Sequence, residues 1–270
     1  MEEIKNTVQG LLGRISRDEV KLAIRCEVCG EPMYQAFDID VHGVKQHMIT
    51  PRQCECKRIE YETMKEQERK ANIEIARERS LPNAAARNCR FATSDDSDQM
   101  QLMRRYAEKW EDVKHEAGLM LWGGVGTGKT HAAYCIANAL IDKQISVYVT
   151  RISALADSVF DDQYGQRFAM DRVKNCALLV LDDVGTERDT SFMCEKAFEF
   201  VDARVESGKP MIVTTNLSPQ MMDQVTDLNR KRLFDRIRGA TAPIEFKGGS
   251  RRAAKARDNV SKLRDILKEV

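Results

Sequence analysis

The chain has 270 residues, 42% apolar and 31% charged, with a formal net charge of +1. This suits a soluble globular protein of one large and one small domain. No apolar run is long enough to span a bilayer. The opening Met1-Glu-Glu-Ile-Lys-Asn6 lacks the apolar core of a secretion signal, so a cytoplasmic protein without membrane contact is expected. Eight cysteines in that compartment argue for metal binding or burial rather than disulfides. The near-zero charge hides an asymmetry. From Arg230 to Val270 thirteen Lys or Arg face five Asp or Glu, leaving the remainder acidic. Such a basic end reads as a solvated helix face or as a contact for an anionic partner such as nucleic acid.

Residues 1–25 place Ile4, Val8, Leu11, Leu12 and Ile15 at helical spacing, predicting a short amphipathic helix. It would either cover the adjoining small domain or dock a partner protein. Cys26-Glu-Val-Cys29-Gly30 then reads as a zinc knuckle, two thiolates on a tight turn that Gly30 lets bend around the metal. Its second half, Cys54-Glu-Cys56, has one intervening residue, and His42 and His47 lie in the gap. Four thiolates, or three with one of those histidines, both satisfy a closed tetrahedral site. Short strands over 33–37 and 44–49 would bridge the ligand pairs. A closed site makes the zinc structural, a staple for a domain too small to fold comfortably on its core.

Lys57 to Ser80 is charged, without glycine or proline, and predicts an exposed linker helix that Leu81-Pro82-Asn83 ends. A helix over about 98–116, with Leu102, Tyr106 and Trp110 as core, follows the capping stretch Thr93-Ser-Asp-Asp-Ser97. Leu119 to Trp122 is a buried strand. It runs into Gly123-Gly124-Val125-Gly126-Thr127-Gly128-Lys129-Thr130, the phosphate-binding loop pattern. Glycines let successive backbone N–H groups curl inward onto phosphate oxygens, and the helix opening at Lys129 adds its positive dipole end. Lys129 is placed to reach the β and γ phosphates and Thr130 to ligate Mg²⁺. A nucleoside triphosphate, with ATP and Mg²⁺ as the pair implied, is therefore the expected ligand.

A second strand over 146–150, a helix over 152–160 and a loop over 161–165 come next. Cys176 to Val184 is an apolar strand ending in two acids, Asp182 and Asp183. Strand ends of open α/β sheets are where ligands bind; Asp182 is expected to hold the Mg²⁺ and Asp183 to orient or deprotonate an attacking water. A helix over 192–206 precedes the strand Pro210 to Asn216, whose Asn216 is placed to bond a water near the γ phosphate. Alternating strands and helices after a P-loop predict an α/β fold, a parallel sheet flanked by helices. Arg230, Lys231, Arg232, Arg236 and Arg238 crowd the next helix, and Ser250-Arg251-Arg252 follows a further strand.

The ordered set Gly123–Thr130, Leu178–Asp183, Thr214–Asn216, Leu233–Ile237 and Ser250–Arg252 resembles bacterial replicative-helicase loaders of the DnaC/DnaI type, AAA+ ATPases related to the initiator DnaA. It covers about 85–255. By that resemblance Asn216 looks like sensor 1, and Arg236 like an arginine finger acting on a neighbouring subunit's nucleotide. Arg252 looks like sensor 2, with Arg251 the fallback. The cysteine module is similar to the N-terminal domain of the DnaI branch. The resemblance implies an ATPase that self-assembles through the finger, binds single-stranded DNA and loads a hexameric replicative helicase. It implies the partition 1–56 zinc-binding helicase-interaction domain, 57–80 linker helix, 81–255 AAA+ domain and 256–270 basic tail. Many such ATPases carry Asp-Glu where this chain has Asp182-Asp183, so hydrolysis is expected to be slow or to enlist Glu187. A transposition helper ATPase of the IstB type shares the same core, and a nucleotide-switched adaptor with little turnover is the third reading.

Overall fold

The computed structural model describes residues 21–161, 163–185 and 191–268. The expected amphipathic helix of residues 1–25 and Glu187 lie largely or wholly outside them. The chain forms two compact units that divide after Asn72.

In the first unit a tight turn carries Cys26 and Cys29. The Gly30 N–H donates to the Cys26 carbonyl at 2.9 Å, with Gly30 at φ +70°. Strands β1 (Tyr34–Val41) and β2 (Val44–Pro51) pair antiparallel. Their two-residue turn, His42 and Gly43, has positive φ at both positions (54° and 83°), the geometry that matches hairpin twist. Cys54 and Cys56 lie at the start of α1 (Glu55–Ser80), where the Arg58 N–H donates to the Cys54 carbonyl.

The second unit is a five-stranded parallel sheet between two helical layers. Its strands are β3 (Gly118–Trp122), β4 (Val147–Thr150), β5 (Leu178–Val184), β6 (Met211–Thr215) and β7 (Thr241–Glu245), in the spatial order β4-β5-β6-β3-β7. Side chains alternate across the sheet. Leu119, Leu121, Leu178, Val180 and Ile212 join one core, and Met120, Leu179, Leu181, Met211 and Val213 the other. The first core is closed by α2 (Ala84–Arg87), α3 (Asp98–Glu108), the turn α4 (Trp110–Val113) and α5 (Lys129–Asp142). The second is closed by α6 (Ile152–Asp161), α7 (Gln163–Asn175), α8 (Ser191–Glu206), α9 (Pro219–Asp223) and α10 (Leu228–Ala240). A final helix, α11 (Arg251–Lys268), follows β7. With β6 central between β5 and β3, the carboxyl ends of β3, β5 and β6 lie side by side, and that edge carries the site.

Three local expectations are corrected. The helix over 98–116 ends at Glu108, because Lys109 turns out of helical ψ (+27°) and Trp110 turns into the core, edge-on to Tyr106. Its buried face is Met100, Met103, Tyr106 and Ala107, which leaves Leu102 exposed. The loop over 161–165 is largely the start of α7, a helix whose Ala169 and Val173, four apart, bury one face. The linker helix is not exposed throughout. Ile73, Arg77 and Ser80 are buried, and Arg77 donates from Nε to Asn138 Oδ1 (3.1 Å) and pairs with Glu74 and Asp142.

Candidate functional site

The sharp turn after β3 depends on Gly123 (φ 142°), Gly126 (φ 80°) and Gly128 (φ 105°). At Gly126 a Cβ atom would lie 2.3 Å from Ser250 Oγ, so any side chain is excluded by backbone and by space. Lys129, buried at the first turn of α5, donates from Nζ to the carbonyls of Gly123 (2.8 Å) and Gly124 (2.7 Å) and to Asn216 Oδ1 (2.9 Å). Burial, the largest cause, lowers its pKa, and the charges of Asp183 and Asp182 oppose that shift. Asn216 thus ties the end of β6 to the loop.

Asp182 is 2% exposed and accepts three hydroxyl hydrogen bonds. Thr130 (2.8 Å) and Thr214 (2.7 Å) donate to Oδ1, and Tyr134 (2.9 Å) donates to Oδ2. Burial and then the Asp182 charge push the Tyr134 phenol upward, which keeps it a donor. Arg151, at the end of β4, stands 3.8 Å from Asp182 Oδ2. Consecutive strand residues ordinarily point to opposite faces, yet Asp182 and Asp183 both line the pocket. The β5–β6 register shifts between Leu181 and Val184, and Asp183 takes φ +63°, a conformation short polar residues tolerate. The Asp183 N–H donates to Thr214 Oγ1 at 2.9 Å, so one threonine holds both acids.

The pocket has a volume of about 540 Å³. Both arginines from the start of α11 line it. Arg251 is anchored: its N–H donates to the Gly126 carbonyl (2.9 Å) and its guanidinium pairs with Asp95. Arg252 is exposed at the pocket rim and carries no ion pair or hydrogen bond among the described residues. Next to Asp95, Ser94 Oγ lies 2.8 Å from His131 Nε2, and both residues line the pocket. Arg236 stands apart, half exposed on α10 and ion-paired with Asp202 at 2.8 Å, and does not line the pocket.

Sequence reading missed Tyr134, Arg151 and the wall of Thr93, Ser94 and His131. Tyr134 was accessible: it lies four residues beyond Thr130 on one helix face. Arg151 carried a weaker signal, its place just after a strand's carboxyl end. The donors suit a nucleotide and Mg²⁺. A hydroxyl and a carboxylate, both hard oxygen ligands, are adjacent at Thr130 and Asp182, beside a glycine-lined helix N-terminus.

In the first unit the ligand atoms of Cys26, Cys29, Cys54 and Cys56 all lie within 4.8 Å of one another. Cys56 Sγ is 3.3 Å from Cys26 and from Cys54, and 3.5 Å from Cys29. Tetrahedral zinc with Zn–S of about 2.3 Å needs sulfurs about 3.8 Å apart, so the set fits that ion. Backbone N–H groups of Cys29 and Val28 lower the Cys26 thiol to about 6, favouring thiolate. Neither histidine joins the cluster: His42 forms the hairpin turn and His47 Nδ1 pairs with Asp38 at 2.8 Å.

The family model for IstB-like ATP-binding proteins matches residues 42–259. The chain belongs to that family. Its AAA+ core is also similar to named replication proteins. The replicative helicase loader DnaI of Bacillus subtilis is 29% identical over 56% of this chain and 53% of its own length. The replicative helicase loader DnaC of Escherichia coli K12 is 26% identical over 58% of this chain and 63% of its own. An ATP-binding protein of an insertion sequence in Mycobacterium tuberculosis is 30% identical over 42% of this chain and 45% of its own. The chain therefore matches about half to two thirds of these relatives' lengths. A crystal structure of DnaI aligns over 65% of this chain and 98% of its own with a TM-score of 0.55 and 22% identity, which shows a shared fold. Among the described residues no helix is long and apolar enough to cross a membrane.

Proposed function

We propose that this protein is an ATP-dependent loader of a replicative DNA helicase onto single-stranded DNA. The observation that carries the ATPase part is one pocket that collects the P-loop, Asp182, Asp183, Asn216 and Arg252. In this reading the loop N–H groups and Lys129 hold the phosphates, and Thr130 and Asp182 hold Mg²⁺, which would neutralise charge on the phosphates. Asp183 and Asn216 orient the attacking water, and Arg252 acts in cis. Arg236 serves as the finger for a neighbouring subunit, consistent with its place outside its own pocket. Residues 1–56 grip the helicase, 57–80 link, 81–255 hydrolyse ATP and 256–270 form the basic tail.

The four-thiol module favours a loader over a transposition helper, since it resembles the DnaI-type grip. The similarity to an insertion-sequence protein supports the helper as the second reading. Co-sedimentation of the full-length chain with a hexameric replicative helicase, with and without ATP and Mg²⁺, tests the choice. Nucleotide-dependent co-sedimentation and preference for single-stranded DNA are expected. Binding to duplex DNA with no helicase in the pellet would replace the loader with the helper. On the same reading Asp182→Asn is expected to slow ATP turnover by about 10²–10³-fold, measured as phosphate release. Turnover near the wild-type rate would remove Asp182 from the magnesium site.

A further inference from the structure

The final helix α11 spans 18 residues, about 27 Å. Its first residue is tied to the P-loop through Arg251 and Gly126, but the side chains of residues 256–267 are exposed. Along that stretch Ala256, Val260, Leu263 and Leu267 recur at spacings of four, three and four, a seam on one face. Val260 is 49% exposed, Leu263 57% and Leu267 66%, with Ile266 (63%) widening one edge. Most helical stability in proteins comes from packing an amphipathic face rather than from propensity, and burying apolar side chains such as these is favourable.

Charge selects the occupant. Arg257 and Arg264 flank the seam at equivalent heptad positions, and neither has an ion pair among the described residues. Asp258 and Asp265 fall on the opposite face, where Asp258 pairs with Lys262 at 2.8 Å. A second copy of this helix would therefore bring arginine against arginine in an antiparallel pairing and no acid against them in a parallel one. Nucleic acid would use the arginines and leave the leucines wet.

We infer that α11 is a docking face for an acidic amphipathic helix of a partner protein, apolar residues in the seam and carboxylates against Arg257 and Arg264. The inference does not depend on the helicase-loader reading, because the face is distinct from the nucleotide pocket and from the cysteine module.

The test uses the full-length protein and two fluorescein-labelled 21-residue helical peptides with leucine at a and d. One carries glutamate at e and g, the other lysine, and binding is read by fluorescence anisotropy. The acidic peptide is expected to bind and the basic one not to. Leu263→Asp with Leu267→Asp is expected to weaken binding at least about tenfold, or 1.4 kcal/mol, with ATP binding unchanged. Arg257→Glu with Arg264→Glu is expected to exchange the preference to the basic peptide, a reversal that misfolding cannot produce. The inference is overturned if neither peptide binds wild type or if the leucine variant binds equally well. Displacement of the acidic peptide by self-association of the chain through α11, seen in sedimentation, overturns it too.

Discussion

Removing zinc from the full-length chain by chelation is expected to unfold residues 24–56, a loss on the order of 10–16 kcal/mol of metal-coupled folding free energy. The reason is the lack of any other core. Between residues 21 and 72 only Cys26 and Cys54 are buried, both of them proposed ligands. The rest is one two-stranded hairpin, which is marginal in water by itself. Hydrogen exchange of the β1 and β2 amides is the measurement. They should approach free-peptide rates with chelator while the sheet of the second unit stays protected. Continued protection of the hairpin without metal would show that something other than zinc folds the module. Cys56→Ser should reproduce the chelator result, since Cys56 Sγ contacts all three other thiols.

Replacing Arg204 by methionine is expected to destabilise the second unit by about 3–5 kcal/mol. Arg204 is fully buried on α8. One guanidinium nitrogen donates to the carbonyls of Val173 and Cys176, both at 2.8 Å, and the other to those of Ala177 and Pro210. It therefore satisfies carbonyls at the carboxyl end of α7 and at the entries to β5 and β6. Methionine fills similar volume but takes the guanidinium donors from these buried carbonyls, of which Pro210 keeps the Leu179 N–H. Arg204→Lys should fall between, because one ammonium cannot span the same fork. Urea unfolding of wild type and both variants checks the order. A methionine variant within about 1 kcal/mol of wild type would mean that relaxation or entering water satisfies the carbonyls.

Much of the site was legible because its chemistry is local. The P-loop requires glycines at fixed offsets whatever surrounds them. An apolar strand ending in Asp182-Asp183 announces itself within nine residues, Asn216 followed from its place at a strand's end, and Arg252, with Arg251 as the fallback, came from the family resemblance. The cysteine pairs were legible for the same reason, each pair lying on one short turn or helix start. The choice between a fourth thiol and a histidine was not, because it depends on hairpin pairing, which sets His47 against Asp38. The exposed linker helix misled because charge is read along the sequence, while Arg77 is buried by partners more than 60 residues away.

The sequence by itself determined a P-loop α/β core, its order of motifs and a thiol-rich module ahead of it, since spacing and periodicity are properties of short segments. Only the tertiary structure decided what gathers around Asp182. Thr130 and Tyr134 reach it from α5, Thr214 from β6 and Arg151 from beyond β4. It also decided that two successive acids share a pocket, through a bulge at Asp183, and that an arginine with no carboxylate partner among the described residues is buried at position 204. These outcomes depend on which strand ends and helix faces meet across the sheet, and on where backbone carbonyls are left without partners. Neither is encoded within any one segment.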